Sequence, residues 1–125
     1  MKLGIVGSRR RCSKEDWELL FKRVKELKPS MIISGGCAFG ADSFAEEFAR
    51  RLGIAITIFY PKLGEQRWAS PKQDIVKAMY ARNKQIAFES DHLIALVAPD
   101  RRGGTENTIR YFREKPNSLL NLEIL

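Results

Sequence analysis

Three short glycine-bearing stretches carry the most chemistry in this sequence: Gly7-Ser8-Arg9, Ser34-Gly35-Gly36 and Gly103-Gly104-Thr105. Glycine lets a ligand come close to the main chain. Each stretch follows an apolar run and leads towards a segment with helical spacing. Each therefore offers N–H groups at a helix N-terminus, where free donors and the helix dipole favour an anion. Ser8, Ser34 and Thr105 add hydroxyls, and Arg9 adds positive charge. This is equipment for holding phosphate. A tight strand-to-helix turn explains any one of these glycines by itself, but three turns of the same kind, each with a hydroxyl residue, favour the phosphate reading. No Gly-Lys-Ser/Thr follows a spaced glycine, so none is a P-loop, and none is a Gly-x-Gly-x-x-Gly dinucleotide fingerprint.

Other residues join these turns. Arg82 falls on the same helical stripe as Ile75, Met79 and Ile86, which predicts an inward-facing guanidinium near phosphate. Asn83 beside it is expected to act as a local hydrogen-bonding partner. Asp42 follows Gly40-Ala41 at a helix start, where it either accepts ribose hydroxyls or satisfies backbone N–H groups. Glu106 sits at another helix start and is open to the same structural explanation. Trp68, in a loop with Gln66 and Arg67, either stacks on a base or covers the core. Trp17 belongs to an apolar helix face and is assigned to the core. His92 is read as structural. Cys37 lies inside the second turn, with its backbone near the ligand and no sign of an activated thiolate.

The elements that must position these groups alternate along the chain. Leu3 to Val6 predicts a buried strand. Ser13 caps a helix with Glu15 and Asp16 in its first turn, and Pro29 stops it. Met31 to Ile33 is a second strand, and 41–52 is a helix ended by Gly53. Ile54 to Tyr60 is a β-branched third strand. A loop covers Pro61 to Ala69, and Ser70-Pro71 opens a helix that runs to about Phe88. His92 to Val97 is the fourth strand. A fourth helix spans Thr105 to about Arg113, and Leu119 to Leu125 is a short fifth strand. Such an order predicts an α/β fold: a parallel sheet with helices on both faces, and a ligand outside the carboxyl ends of its strands. The 125 residues are read as a single domain over 1–125.

A net charge of +7 favours anionic partners, although many lysines and arginines sit beside glutamates on helix faces, where solubility alone accounts for them. Arg9-Arg10-Arg11 and Arg101-Arg102 are different, because they flank the predicted site and suit a polyphosphate. No apolar run approaches the ~20 residues of a membrane span. The opening residues read as a strand rather than a signal peptide. Cys12 and Cys37 have neither metal spacing nor a secretory context, so a cytoplasmic protein without a metal or bound cofactor is expected.

Gly-Ser-Arg after the first strand, Ser-Gly-Gly-Cys-Ala-Phe-Gly-Ala-Asp at 34–42, Arg82-Asn83 and Gly-Gly-Thr at 103–105 form an ordered set. The set resembles the SLOG superfamily, in particular YspA/YpsA-related proteins, with Lonely Guy phosphoribohydrolases and the DNA-processing protein A fold as wider relatives. The resemblance covers Gly4 to about Phe112. It implies a three-layer Rossmann-like fold with strand order 3-2-1-4-5, and binding of nucleotides or ADP-ribose-type ligands. The hydrolases of that superfamily pair an arginine, matched here by Arg82, with a glutamate three residues after the threonine of the last turn. That position here is Thr108. Glu106 lies one residue after Thr105, on another side of the helix.

The leading expectation is therefore a module, or sensor, that binds a nucleotide-like, phosphate-bearing small molecule. The ligand is expected across Gly35-Gly36 and Gly103-Gly104-Thr105, with Gly7, Ser8, Arg9, Ser34, Gly40, Asp42, Arg82 and Asn83 around it. The alternative is an enzyme that cleaves or transfers an N-glycosidic bond, with Arg82 and Glu106 as catalytic residues. A third reading is DNA or RNA binding through the basic surface. The apolar 119–125 tail predicts a homodimer, because an exposed edge strand invites pairing.

Overall fold

The computed structural model describes residues 1–62 and 72–125. Most of the Pro61–Ala69 loop, the Ser70-Pro71 helix start, Gln66, Arg67 and Trp68 lie outside the described residues. The order of elements is β1 (Lys2–Gly7), α1 (Lys14–Leu27), β2 (Met31–Ser34), α2 (Ala41–Leu52), β3 (Ala55–Ile58), α3 (Lys72–Glu89), β4 (His92–Leu96), α4 (Gly104–Arg113) and β5 (Leu122–Ile124). All five strands run parallel in the order β3-β2-β1-β4-β5, as in a Rossmann-like α/β fold. No described helix is long and apolar enough to cross a membrane.

Period-two alternation of the strands builds the two faces of the sheet. Leu3, Ile5, Ile32, Ile94 and Leu96 point to one face, where Leu20 and Val24 of α1 and Ala41, Ala45 and Phe48 of α2 cover them. Val6, Ile33, Leu93 and Ala95 point to the other, against Ile86 and Ala87 of α3 and Ile109 and Phe112 of α4. The central strands are thus apolar on both sides, as a doubly covered parallel sheet requires.

Local signals explain most boundaries. Ser13 caps α1 in a capping box, its hydroxyl accepting from the Asp16 N–H while the Asp16 carboxylate accepts from the Ser13 N–H. Gly53 ends α2 in the left-handed conformation at φ 64°. Two expectations change. The third strand is shorter than 54–60, since pairing with β2 ends at Ile58. The fifth is shorter too: Ser118–Leu120 form a 3-10 turn before β5 begins. Trp17 sits at the rim of the first core rather than within it. It stacks on Phe21 at 4.7 Å between ring centroids, and its indole N–H donates to Glu47 at 2.7 Å.

Candidate functional site

The chain winds outward from β1 to β2 and β3, then crosses to β4 and β5 on the other side. This reversal leaves a crevice at the carboxyl ends of the strands, the expected ligand position in an open parallel sheet. A cavity of about 420 Å³ occupies it. Gly7, Ser8 and Arg9 after β1, Gly35 after β2, and Gly103, Gly104 and Thr105 after β4 all line it, so the three turns do converge. Met79, Arg82 and Ile86 line it from α3, whereas Ile75, the first residue of the stripe read from the sequence, does not.

Arg82 connects the walls. Its Nη1 donates to the Gly35 carbonyl at 2.8 Å, and its Nε donates to Asn83 Oδ1 at 2.9 Å. The buried Asn83 passes the connection to α4, donating to Asn107 Oδ1 at 3.0 Å and to the Gly104 carbonyl at 3.4 Å. The guanidinium therefore lies between the β2 turn and the start of α4, held by neutral acceptors. Burial pulls its pKa down, and the nearby Asp42 carboxylate pushes it back up.

Asp42 also lines the crevice, and its Oδ2 accepts from the Cys37 N–H at 3.0 Å. Of the two roles open to it, the structure shows the backbone one, made by Oδ2. Burial raises its pKa, against the opposing pull of the Cys37 N–H and the Arg82 charge. The Cys37 backbone donor is therefore not available to a ligand. A carboxyl in the first turn of α2 also makes that helix start unfavourable for an anion.

The start of α4 also has a first-turn carboxyl, Glu106, but Arg101 pairs with it at 2.9 Å and it stands outside the crevice lining. The N-cap of α4, Gly103, makes no side-chain cap, and among the described residues the N–H groups of Gly104, Thr105 and Glu106 have no partner. A Cβ placed on Gly104 would meet nothing nearer than Asn83 Nδ2 at 3.6 Å, and packing does not require glycine there. By contrast, a Cβ on Gly7 would lie 2.7 Å from Ala41 Cβ and 2.9 Å from Leu96 Cβ, so that glycine lets α2 and β4 close on the strand.

Several expected site residues stand elsewhere. Ser34 is fully buried at the end of β2 and does not reach the crevice lining. Gly36 faces the Tyr60 ring and Ile58. Gly40 has φ +71°, and a Cβ there would lie 2.8 Å from the Ser8 carbonyl, so it serves the entry to α2. Glu106 accepts from Arg101 Nε at 2.9 Å and does not line the crevice. Thr108 does line it, and its hydroxyl donates to the Gly104 carbonyl at 3.1 Å.

Sequence reasoning missed Asn107, whose pairing with Asn83 joins two helices and leaves no local pattern. It also passed over two exposed aromatics in the segments that follow β2 and β3, Phe39 (65% exposed) and Tyr60 (61%). Their signal was a large aromatic close to a strand end.

No protein-family model, curated protein or solved structure matches this chain.

Proposed function

We propose that the protein binds a nucleotide-like ligand through its phosphate, with the anion at the start of α4 and the Arg82 guanidinium beside it. One observation carries the reading: among the described residues, α4 opens onto the crevice with three unpaired N–H groups and no side-chain cap, and its first-turn carboxyl, Glu106, is paired with Arg101, whereas the equally uncapped α2 puts Asp42 into the crevice. Thr105, Arg9 and Arg102 line the same space and add a hydroxyl and positive charge. Val6, Met79 and Ile86 give it an apolar wall suited to a sugar or base. The resemblance to SLOG proteins supports the same ligand class. The two free cysteines fit a reducing compartment, and we place the protein in the cytoplasm. Leu119 and Leu120, 83% and 81% exposed, support a homodimer.

A differential melting screen of nucleoside monophosphates against their nucleosides tests this, because a ligand that binds only the folded state raises the melting temperature. The reading expects the phosphorylated compounds to stabilise and the nucleosides not to. No stabilisation by any phosphorylated compound would contradict it.

Cleavage of an N-glycosidic bond is a second reading with one observation in its favour. Asp42 is a carboxyl with a raised pKa beside Arg82 in the crevice, the kind of group used for proton transfer. Glu106 is engaged with Arg101 outside the lining, so Asp42 is the better acid for that chemistry.

A further inference from the structure

We infer that Asn107 is a positioning residue: through Asn83 it fixes the plane of the Arg82 guanidinium and the spacing of that group from the start of α4. The inference rests on the proposed phosphate site and adds to it a residue outside the crevice lining. Asn107 is 4% exposed and Asn83 5%, so each amide must find its partners mostly within the protein. Arg82 Nε donates to Asn83 Oδ1 at 2.9 Å, and Asn83 Nδ2 donates to Asn107 Oδ1 at 3.0 Å. The Asn83 amide can therefore face only one way. Turned over, it would set its NH2 against the Arg82 N–H and its oxygen against Asn107 Oδ1. Asn107 itself is left incomplete, since its Nδ2 is buried and has no partner among the described residues. A buried donor without a partner is destabilising, and a leucine would fill similar space without that penalty. What an asparagine adds here is its oxygen.

That oxygen matters because of what Arg82 has left over. Its Nη1 donates to the Gly35 carbonyl at 2.8 Å and to the Phe59 carbonyl at 3.5 Å, and its Nε is taken by Asn83. Among the described residues, only the N–H groups of Nη2 lack a partner, and they remain for a ligand. Contacts at both Nη1 and Nε hold the planar group in one plane, whereas a contact at Nη1 alone lets it swing. Without Asn107 Oδ1, Asn83 Nδ2 keeps only its 3.4 Å bond to the Gly104 carbonyl, and its amide can turn away from Nε. Asn107 and Gly104 belong to the same helix, α4. The oxygen that orients Asn83 therefore also ties Arg82 to the helix whose first N–H groups face the crevice, and the two anion-holding groups stay in register.

The test compares Asn107→Leu and Asn107→Ala, which remove the acceptor, with Asn107→Asp, which keeps an oxygen for Asn83. Two readouts are taken on the full chain: calorimetry with AMP and adenosine, and the exchange rate of the Arg82 Nε–H with water by NMR, its resonance assigned by its loss in Arg82→Ala. The Nε–H should exchange slowly in wild type and in Asn107→Asp, and much faster in the Leu and Ala variants. AMP affinity should fall about tenfold in the Leu and Ala variants, the loss of one charge-assisted hydrogen bond, with adenosine affinity unchanged. Asn107→Asp should restore AMP binding to within about threefold of wild type. Alanine is the best helix former, so Asn107→Ala carries the comparison if the leucine does not fit. A lower melting temperature with AMP affinity and Nε–H exchange unchanged would make Asn107 merely structural and overturn the inference, leaving the phosphate site standing. Equal losses for AMP and adenosine would overturn it too. A wild-type Nε–H that exchanges as fast as in the urea-unfolded chain would overturn it whatever the variants do. Wild-type protein that does not prefer AMP to adenosine would overturn the phosphate site and this inference together.

Discussion

Arg82 Nη1 donates to the carbonyl oxygen of Gly35 at 2.8 Å, tying the middle of α3 to the turn after β2. A Cβ at Gly35 would lie 2.9 Å from that same nitrogen and 3.1 Å from Asp42 Oδ2, so the glycine sits between the two charged groups. One contact thus serves the fold and the site together. Arg82→Ala should cost about 1–3 kcal/mol of stability, because it leaves buried acceptors unpaired. It should also abolish the preference for phosphorylated ligands. Arg82→Lys should recover little, since an ammonium lacks the planar fork that reaches both Gly35 and Asn83. Urea denaturation of the three proteins measures the stability part.

Asp42 gives a pH-dependent difference. Its folded pKa is raised above the ordinary 3.8 by burial, so the folded state takes up a proton more readily than the unfolded chain. The cost of burying its charge is therefore fully present above the folded pKa and is relieved as pH falls through it. Asp42→Asn keeps an acceptor for the Cys37 N–H without the charge. It should be more stable than wild type at pH 7. The gap should close as the pH is lowered towards 4. A gap that widens on acidification would reverse the sign and contradict the burial argument.

Glu123 behaves the other way. Arg23 grips its carboxylate with two bonds of 2.7 Å, and His92 Nε2 meets it at 2.6 Å. Its pKa is held below the ordinary 4.5, chiefly by Arg23. This contribution is present above the unfolded value and lost as pH falls through the lowered folded one. Glu123→Ala should cost about 1–3 kcal/mol at neutral pH and much less in acid. The amides of β5 should show the largest rise in hydrogen exchange, since Glu123 ties that edge strand to α1 and β4.

The glycines divide by function, and substitution separates them. Gly7→Ala puts a methyl carbon into Ala41 and Leu96 and should destabilise by about 1–3 kcal/mol. Gly104→Ala meets no close atom, and its melting temperature should stay within a few degrees of wild type. Paired thermal melts of the two variants check this.

That division marks where sequence reading stopped. Ser13 and Asp16 announce the start of α1 because a capping box is local, and the alternating strands reveal both faces of the sheet for the same reason. Of the helical stripe of Ile75, Met79, Arg82 and Ile86, the last three line the crevice and Ile75 does not. A glycine turn looks the same, however, whether it admits a helix, as at Gly7, or opens to a ligand, as at Gly104; only the tertiary neighbours distinguish them. Contacts between distant segments were equally silent. Arg11 reaches Val97 and Leu125, Arg23 reaches Glu123, and Lys115 caps the end of α3 at the carbonyls of Ala87, Phe88 and Ser90. The basic cluster at 9–11 thus splits: Arg11 holds the fold, while Arg9 and Arg10 both line the crevice and Arg10 also pairs with Asp100 across the loops.

The most direct test of the central claim is calorimetry with AMP and adenosine on wild-type protein and on Gly104→Val. The account predicts that AMP binds at least about tenfold more tightly than adenosine, because adenosine leaves the α4 donors unpaired. In Gly104→Val that difference should vanish, since the side chain obstructs the start of α4, while the fold survives because a Cβ has room there. Equal affinity of the wild type for AMP and adenosine, or a preference unchanged in Gly104→Val, would contradict it.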